Sequence, residues 1–302
     1  MKTFFKYCLQ LIVLVTGNIL YGQENTGLRE ITVLYTNDEH GWMEGMSPDQ
    51  GASNLYQLWQ EQEGYREDGA FLILSGGDNW TGPAISTWVE GESMVEIMNT
   101  MHYDASAVGN HEFDFGLDVF AQRAREADFP YLGANIHWRE NGEVPEDIGI
   151  LPYTVLEVNE LKIGIIGLTT TSTPFVTHPE NVQDLVFINY ENAVRETLLE
   201  MSDTDLQFII AHVCMAELET LLNKISDLGV DLAGAGHCNE LEAQEIDNTV
   251  VLGGGFHFTT YAKASFVYDI ENNELVEKSY NTSRNQGASS HSEIEKIVSK
   301  WA

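Results

Sequence analysis

The sequence is poor in basic residues, in cysteine and in long apolar runs, and each shortage excludes a class of protein. Its 302 residues contain 15 Lys and Arg against 47 Asp and Glu, a net charge of −32. A surface this acidic repels nucleic-acid backbones and anionic membranes, which excludes a nucleic-acid polymer as a partner. Three cysteines are too few for a framework of disulfides. The sequence also lacks the Gly-rich phosphate loop of nucleotide-hydrolysing motors.

Residues 1–22 have the pattern of an export signal. Lys2 and Lys6 precede a short apolar stretch, and Gly22 is a small residue at the expected cleavage point. The stretch is shorter than the ~20 residues that span a bilayer, which favours a cleaved signal over a membrane anchor. Cys8 lacks the small residues upstream that a lipid-attachment site requires. We therefore expect a secreted or periplasmic protein without a membrane anchor, whose remaining residues, 23–302, form a single domain.

Beyond the signal, short apolar runs alternate with helical patterns, which is typical of an α/β or layered α+β protein. Apolar residues recur at helical spacing from Leu218 to Leu228 and predict an amphipathic helix. Similar patterns predict helices at 117–127, 191–201 and 292–302. The runs predicted as strands are 31–35, 71–75, 105–108, 131–136, 153–158, 162–168, 207–211, 230–235 and 249–254, followed by a hairpin of 263–270 and 275–280.

Five of these strands end in side chains that bind metals or phosphate in proteins. In chain order these side chains are Asp38 and His40; Asp78 and Asn79; Asn110, His111 and Asp114; His212; and His237. Ligand sites in open α/β sheets gather at the carboxyl ends of strands. One Asp-x-His commonly does no more than begin a loop, but five such strand ends in one chain predict a shared metal site. The lack of paired cysteines disfavours a structural zinc site of the thiolate type.

The motifs TNDEHG, SGGDN, VGNHEFDFG, an AH that ends an apolar strand, and AGAGH resemble those of the calcineurin-like metallophosphoesterases, in the same order. The similarity is greatest to the metallophosphatase domain of secreted 5′-nucleotidases and UDP-sugar hydrolases, and it runs from about Ile31 to the C-terminus. The resemblance implies an α+β fold, a four-layer α/β/β/α sandwich. It also implies two divalent metal ions at one end of the sheets.

The resemblance implies a role for each motif residue. Asp38 and His40 hold the first metal; Asp78 bridges the two metals with one carboxylate oxygen on each; Asn110, His212 and His237 hold the second; His111 faces the substrate phosphate; and Asp114 orients the His111 ring. Catalysis in such a site is hydrolysis by water that the two cations activate. We therefore expect a phosphoric ester hydrolase of the 5′-nucleotidase type, acting on a small, nucleotide-like phosphomonoester.

Asn239 is the first departure from the family pattern, which usually has a second histidine there, in Gly-His-x-His. The favoured interpretation is that the amide oxygen of Asn239 completes the first metal site. An oxygen ligand would shift the preferred ion from Zn toward Mn, Mg or Ca. The alternatives are a weakened or vacant first site, ligation by Cys238, or the approach of His257. A vacant first site would make the protein a non-catalytic or weakly active metal-binding relic.

The second departure is that the sequence stops at a short helical pattern, without the C-terminal domain that binds the nucleobase in the family. Either a separate partner chain supplies that domain, as in a split 5′-nucleotidase, or the substrate is another phosphoester. Trp42, Trp80 and Trp88 lie beside motif loops. They are candidates to line a substitute pocket if they are exposed, and otherwise they cover the core.

Two cysteines remain beyond the export signal, and both lie beside predicted ligands. Cys214 follows His212 by two residues, and Cys238 follows His237 directly. If both histidines bind the second metal, the two thiols come within bridging distance. We hypothesise a Cys214–Cys238 disulfide, and the alternative is a pair of small, partly buried thiols.

Overall fold

The structure, a computed structural model, describes residues 27–47, 49–201 and 203–302. The predicted export signal at residues 1–22 lies outside them. The strands are β1 (Leu28–Thr36), β2 (Phe71–Ser75), β3 (Ala105–Ala107), β4 (Tyr131–Leu132), β5 (Ile136–Trp138), β6 (Ile150–Leu151), β7 (Tyr153–Val158), β8 (Leu161–Thr169), β9 (Leu185–Phe187), β10 (Leu206–His212), β11 (Leu232–Ala235), β12 (Leu241–Ile246), β13 (Thr249–Gly254), β14 (Thr260–Asp269) and β15 (Glu274–Arg284). The helices are α1 (Ala52–Leu58), α2 (Ala84–Thr87), α3 (Glu92–Thr100), α4 (Leu117–Glu126), α5 (Thr173–Val176), α6 (Tyr190–Glu200), α7 (Met215–Lys224) and α8 (Ser292–Trp301).

Most strands belong to two mixed sheets. The first has the order β15-β14-β1-β2-β3-β4-β6, and the second has the order β12-β13-β11-β10-β8-β7. Strands β1, β2, β3, β4 and β6 are parallel to one another, as are β8, β10, β11 and β13 in the second sheet. Antiparallel strands lie at one edge of the first sheet, β14 and β15, and at both edges of the second, β12 and β7. The parallel strands of each sheet therefore end at a common edge.

Three apolar clusters show how the layers are stacked. The cluster between the two sheets contains Val33 from β1 and Phe208 from β10. The other face of the first sheet packs against α1, α3, α4 and α8, and Leu34 points into that cluster. The other face of the second sheet packs against α6 and α7. Because both faces of each sheet are covered, the central strands are continuous apolar runs, and the predicted α/β/β/α sandwich is confirmed.

Most predicted elements match the structure, but one predicted strand is broken and β12 was not predicted. The strands predicted at 71–75, 153–158 and 249–254 have the observed bounds. The run 131–136 is wrong as one strand, because the chain turns at 133–135 and divides it into β4 and β5. Asn135 fixes this turn by exchanging hydrogen bonds with the backbone of Thr169. No helix in the described ranges combines the length and the apolar character needed to cross a bilayer.

The three tryptophans beside the motif loops have different environments. Trp80 is fully buried and donates a hydrogen bond to the hydroxyl of Tyr131, so it belongs to the core and lines no pocket. Trp88 is 84% exposed. Trp42 is partly buried, and its ring stacks on that of His257 with 5.0 Å between centroids. Trp42 is thus the candidate of the three that remains beside the predicted site.

Candidate metal centre

The predicted site residues meet where the carboxyl ends of the parallel strands of both sheets converge. The loops after β1, β2 and β3 come from the first sheet, and those after β10 and β11 come from the second. Polar contacts join the sheets at this edge. Asn37 accepts a hydrogen bond from Gly254 N and donates one to Gly255 O, and the Tyr35 hydroxyl donates to Ala235 O. The convergence therefore depends on how the two sheets are packed.

One group of potential ligands surrounds the Nε2 atom of His212. Asp78 Oδ2 lies 3.0 Å from this atom, Asn110 Oδ1 3.2 Å, and His237 Nδ1 3.2 Å. Among the described residues, Asp78, His212 and His237 form one of two clusters whose geometry suits a metal ion. The predicted second-metal residues are thus brought together.

The hydrogen bonding of His212 indicates why a metal fits here. Its Nδ1 lies 2.8 Å from the carbonyl oxygen of Gly76, which can only accept, so this nitrogen carries the proton. Nε2 faces Asp78, Asn110 and His237, whose nearest atoms can all accept, so either a proton on Nε2 or a cation must lie among them. A cation resolves this convergence of acceptors, and a carbonyl behind the ring is the usual way of orienting a metal-binding histidine.

A second cluster consists of His40, Asp78 and His111, with Asp38 at its side. His40 Nε2 lies 3.7 Å from Asp38 Oδ1 and 3.9 Å from Asp78 Oδ2, while His40 Nδ1 faces the carbonyl of Thr81 at 3.1 Å. Asp38 Oδ1 is fully buried and has no hydrogen-bond partner. A buried carboxylate oxygen without a partner is costly, and a cation between Asp38 and His40 would satisfy it. These residues fit the predicted first metal.

Asp78 belongs to both clusters, as expected for a bridging ligand, and its two oxygens have different neighbours. Its Oδ2 faces both His212 and His40, whereas its Oδ1 accepts a hydrogen bond from the backbone N–H of His111 at 2.8 Å. Oδ2 therefore lies nearest to both histidines, and the prediction of one oxygen for each metal stays a prediction.

Five of the predicted ligands have a left-handed backbone conformation, which residues other than glycine rarely adopt. Their φ angles are positive: Asp38 56°, His40 45°, Asp78 58°, His237 70° and Asn239 55°. Left-handed backbone costs roughly 1–2 kcal/mol per residue. Such strain persists only where the surrounding structure enforces it, and it concentrates at functional sites. The fold therefore holds these side chains in place before any ion binds.

The charges of the site shift its ionisation equilibria in opposite directions. Burial disfavours the charged form of His212, yet Asp78 raises the pKa of His212 to about 9. Conversely, burial disfavours ionised Asp78, but His212 holds the pKa of Asp78 below its usual range. Burial and His212 together lower the pKa of His237. Without a metal, the site thus holds a proton on His212 as its positive charge.

His111 and Asp114 form the predicted pair beside these clusters. His111 Nδ1 lies 2.6 Å from Asp114 Oδ2, and the hydroxyl of Thr177 donates to Asp114 Oδ1 at 2.8 Å. Burial opposes the charged imidazole, but the hydrogen bond that the ring donates to Asp114 helps to raise the pKa of His111 to about 9. The ring is therefore protonated at neutral pH and has Nε2–H free to donate. Thr177 was not predicted, because nothing in its sequence context distinguishes it from other threonines.

Glu112 is a further site residue that sequence reasoning missed. Its carboxylate is fully buried and accepts hydrogen bonds from three backbone N–H groups: Asn79 at 2.7 Å, Asp78 at 2.9 Å and Gly109 at 2.7 Å. These hydrogen bonds therefore hold together two loops, the one that carries Asp78 and the one that carries Asn110. Its position inside the GNHEFD motif was the available signal, but the motif does not reveal what the side chain contacts.

Asn239 and His257 bear on the question of the first site. The side chain of Asn239 is exposed, and in the part of the chain that the structure describes it has no hydrogen bond to another site residue. The ring of His257 lies 5.8 Å from that of His40, centroid to centroid, while its Nδ1 faces Met46 Sδ at 3.4 Å. Burial and His40 lower the pKa of His257 to about 4. His257 thus lies beside the first site without completing a cluster.

The hypothesised disulfide is present. Cys214 and Cys238 are bonded, with 5.1 Å between their Cα atoms, a separation typical of disulfides. Cys238 is exposed, which differs from the alternative of two partly buried thiols. The bond joins the loop after β10 to the loop after β11.

Some known proteins are similar to this chain in sequence, and others are similar in fold. It is 32% identical over 249 residues to the snake venom 5′-nucleotidase of Crotalus adamanteus, over 77% of this chain and 41% of the relative. It is 32% identical over 244 residues to the 5′-nucleotidase of Homo sapiens, over 76% of this chain and 41% of the relative. Protein UshA of Escherichia coli (strain K12) is 36% identical over 199 residues, 64% of this chain and 34% of that protein. The match thus spans about two-fifths of the length of the two 5′-nucleotidases and about a third of UshA.

Solved structures show the same architecture at lower sequence identity. The calcineurin-like phosphoesterase YfkN from Bacillus subtilis superposes with a TM-score of 0.80 at 18% identity, covering 91% of this chain and 97% of that one. A 5′-nucleotidase precursor from Thermus thermophilus gives a TM-score of 0.79 at 19% identity, covering 91% of this chain and 58% of that one. At such identities the similarity shows the fold alone. No protein-family model matches the chain.

Proposed function

Because the chain belongs to the calcineurin-like phosphoesterase family that includes the 5′-nucleotidases, we propose that it is a metal-dependent hydrolase of small phosphomonoesters, with nucleotide-like substrates favoured. The observation that carries the proposal is the pair of ligand clusters sharing Asp78, with the His111–Asp114 pair beside them. A binding protein with one metal has no use for the second cluster or for an oriented, protonated imidazole.

In this proposal, different residues would bind the two cations and donate a proton. Asp38, His40 and Asp78 would hold one divalent cation, and Asp78, Asn110, His212 and His237 the other. When bound, two such cations orient a phosphate and lower the pKa of an attacking water. His111, whose Nδ1 is engaged by Asp114, would donate its Nε2 proton toward a phosphate oxygen or the leaving oxygen. Asn239 would supply an amide oxygen to the first cation.

The ligand atoms also bear on which ion is bound. Nitrogen and oxygen ligands can bind Zn, Mn or Mg. An amide oxygen from Asn239 would favour the harder ions Mn, Mg and Ca. Cys238 is bonded to Cys214 and so has no thiolate to offer. The donor set therefore disfavours ligation by sulfur at either position.

Export to an oxidising compartment, secreted or periplasmic, is part of the proposal, with residues 23–302 as one metallophosphoesterase domain. The Cys214–Cys238 disulfide supports export, since such bonds persist mainly in oxidising surroundings. The chain spans about two-fifths of its relatives. For full activity on nucleotides, a separate chain with a nucleobase-binding domain is proposed as a partner.

The test measures metal content and turnover together. The purified chain is stripped with a chelator and reloaded with Mn, Zn, Mg or Ca in turn, and p-nitrophenyl phosphate and a panel of nucleotides serve as substrates. We expect two ions per chain and turnover with at least one metal. His111→Asn should retain the metals and lose turnover by about 10²- to 10⁴-fold. The matched control His102→Asn changes a surface histidine that pairs with Glu67, and it should behave as the wild type.

Two outcomes contradict the proposal. No turnover with any metal, combined with one ion or fewer per chain, would show a metal-binding relic. The same result after Asn239→His, a change that restores an imidazole beside the first site, would show that Asn239 does not face the metal. Two bound ions and turnover only after addition of a partner domain would instead support the split-enzyme form of the proposal.

A further inference from the structure

The Cys214–Cys238 disulfide lies directly behind two predicted ligands of the second metal. Cys214 follows His212 by two residues and Cys238 follows His237 directly, and the bond joins their loops. Hydrogen bonds run parallel to it. Gly236 N donates to Val213 O at 3.0 Å, and Met215 N donates to the side chain of Glu240 at 2.8 Å. The bond is thus the covalent part of a contact between the two loops.

The two histidines depend on this contact to different degrees. His212 is fully buried at the end of β10, and its Nδ1 is fixed by the carbonyl of Gly76 in the opposite sheet. His237 is partly exposed, lies in left-handed backbone with φ of 70°, and has its Nδ1 against His212 Nε2. The bond therefore acts mainly on His237 and on Asn239, which also has a positive φ.

The left-handed turn at His237 and Asn239 needs an external restraint. Residues other than glycine leave this conformation when nothing enforces it. The Cys214–Cys238 bond supplies such a restraint, since it closes a loop across a sequence separation of 24 residues. Loss of the bond leaves hydrogen bonds alone to hold the turn. His212 would stay in place, while the His237 ring would move away from it.

We propose that the Cys214–Cys238 disulfide is a positioning element for the metal centre, and that its reduction lowers the affinity for the ion that His237 ligates. The inference rests on the proposed metal centre and is independent of any hydrolytic activity. Reduction requires a dithiol. One thiolate of the dithiol attacks the sulfur of Cys238, the exposed residue of the pair, and Cys214 leaves as a thiolate that takes up a proton. The second sulfur of the dithiol, as a thiolate, then attacks the mixed disulfide and releases Cys238, which is protonated in turn. Both cysteines end as thiols and the dithiol as a disulfide.

Metal affinity and the reduction of the disulfide are coupled in both directions. If reduction weakens metal binding by some factor, saturating metal must favour the oxidised form by the same factor, because the two equilibria are linked. For this two-electron couple, each tenfold change in affinity corresponds to about 30 mV in the reduction potential of the disulfide. A role limited to general stability would not link the potential to the metal in this way.

The experiment compares Mn²⁺ affinities by electron paramagnetic resonance of the free ion, because Mn²⁺ binds thiols weakly. The protein is the full chain with Cys8→Ser. Its affinity is measured in three forms: oxidised, reduced and freed of the reductant, and reoxidised. We expect at least a tenfold loss of affinity at one of the sites on reduction and recovery on reoxidation. The double variant Cys214→Ser/Cys238→Ser should match the reduced form, and the potential should shift by about 30 mV per tenfold when Mn²⁺ is added to the oxidised chain.

Two controls separate positioning from general stability. Phe266→Leu, in the cluster between the sheets, destabilises the fold with the bond intact and should keep its Mn²⁺ affinity. In His237→Asn, reduction should change the remaining affinity less than twofold. Equal affinities of the oxidised and reduced forms, or no Mn²⁺ binding by the oxidised chain, would overturn the inference. Metal binding without hydrolysis would contradict the proposed function alone.

Discussion

At the scale of single residues, Glu112 shows how one buried carboxylate can align two ligand loops. It accepts hydrogen bonds from three backbone N–H groups, and Gly109 brings the two loops into contact. A Cβ at position 109 would lie 2.1 Å from Asp78 Oδ1 and 2.7 Å from Glu112 Oε2. Since neither neighbour can move without disturbing the site, only glycine is compatible with position 109.

We predict that Glu112→Gln lowers both stability and metal affinity. The amide nitrogen of glutamine would face backbone donors, so at least one buried N–H would lose its acceptor, at a cost of about 1–3 kcal/mol. Chemical denaturation of the chelated protein measures the loss of stability, and a competing chelator measures metal affinity. The control is Glu242→Gln on the exposed face of β12. Equal unfolding free energies for the two variants would refute this role for Glu112.

The site residues were predictable from the sequence to the extent that they lie at strand ends. Asp78, Asn110 and His212 each follow or end a buried strand, and the common edge of parallel strands brings them together. Glu112 and Thr177 were not predictable, because their roles depend on contacts that no spacing encodes. The hydrogen bond from the backbone N–H of His111 to Asp78 Oδ1 was also not predictable from the sequence.

At the scale of elements, α8 closes the outer helical layer. It packs on α1 and α3, with Ile294 fully buried. Lys300 and the Trp301 indole nitrogen both bind the Glu96 carboxylate of α3, at 2.6 Å and 2.7 Å. The terminal helix is therefore an integral part of this core rather than an extension beyond it.

We expect Ile294→Ala to reduce the unfolding free energy by about 2–5 kcal/mol, because it removes a buried side chain and leaves a cavity. Metal affinity should not change, since α8 lies on the outer face of the first sheet. The control Val276→Ala removes a side chain that is 47% exposed and should cost less than about 0.5 kcal/mol. Thermal unfolding with and without metal tests both points. A variant that unfolds as the wild type does would mean that α8 adds nothing to the core.

Elements were predictable where burial dominates the sequence pattern. Strands covered on both faces, such as β2 and β13, are apolar runs bounded by glycine or polar residues. The edge strand β12 was missed because its sequence, LEAQEI, is half charged or polar and largely exposed, as edge strands often are. The break at 133–135 depends on hydrogen bonds of Asn135 to a strand of the other sheet, which a local pattern does not contain.

At the scale of the whole molecule, the metal-free protein carries several groups that bind protons more tightly when folded. The pKa of His212 rises from 6.5 to about 9, and the pKa of His111 rises similarly. A raised pKa adds stability that is complete below the unfolded value and disappears as pH passes the folded value. His237 and His257 have lowered pKa values. They therefore change the stability of the folded protein only below about pH 6.5, where the unfolded state takes up their protons.

We therefore predict that the metal-free protein loses stability as pH rises from about 7 to 9, by an amount on the order of 2 kcal/mol. Denaturant unfolding in chelator across this range is the measurement. With metal bound, the Nε2 atom of His212 is occupied and the slope should flatten. The variant His212→Gln should also flatten it, and an unchanged slope in that variant would assign the effect to other groups.

The ligands of the metal centre come from both sheets, which determines when an ion can be captured during folding. Asp38 and His237 are far apart in the sequence and on different sheets. Neither sheet alone presents a complete set, so capture must follow the docking of one sheet on the other. With the proposed ligand set, an ion would therefore not nucleate this fold as it does in small zinc modules. It would stabilise two sheets that the apolar layers have already brought together.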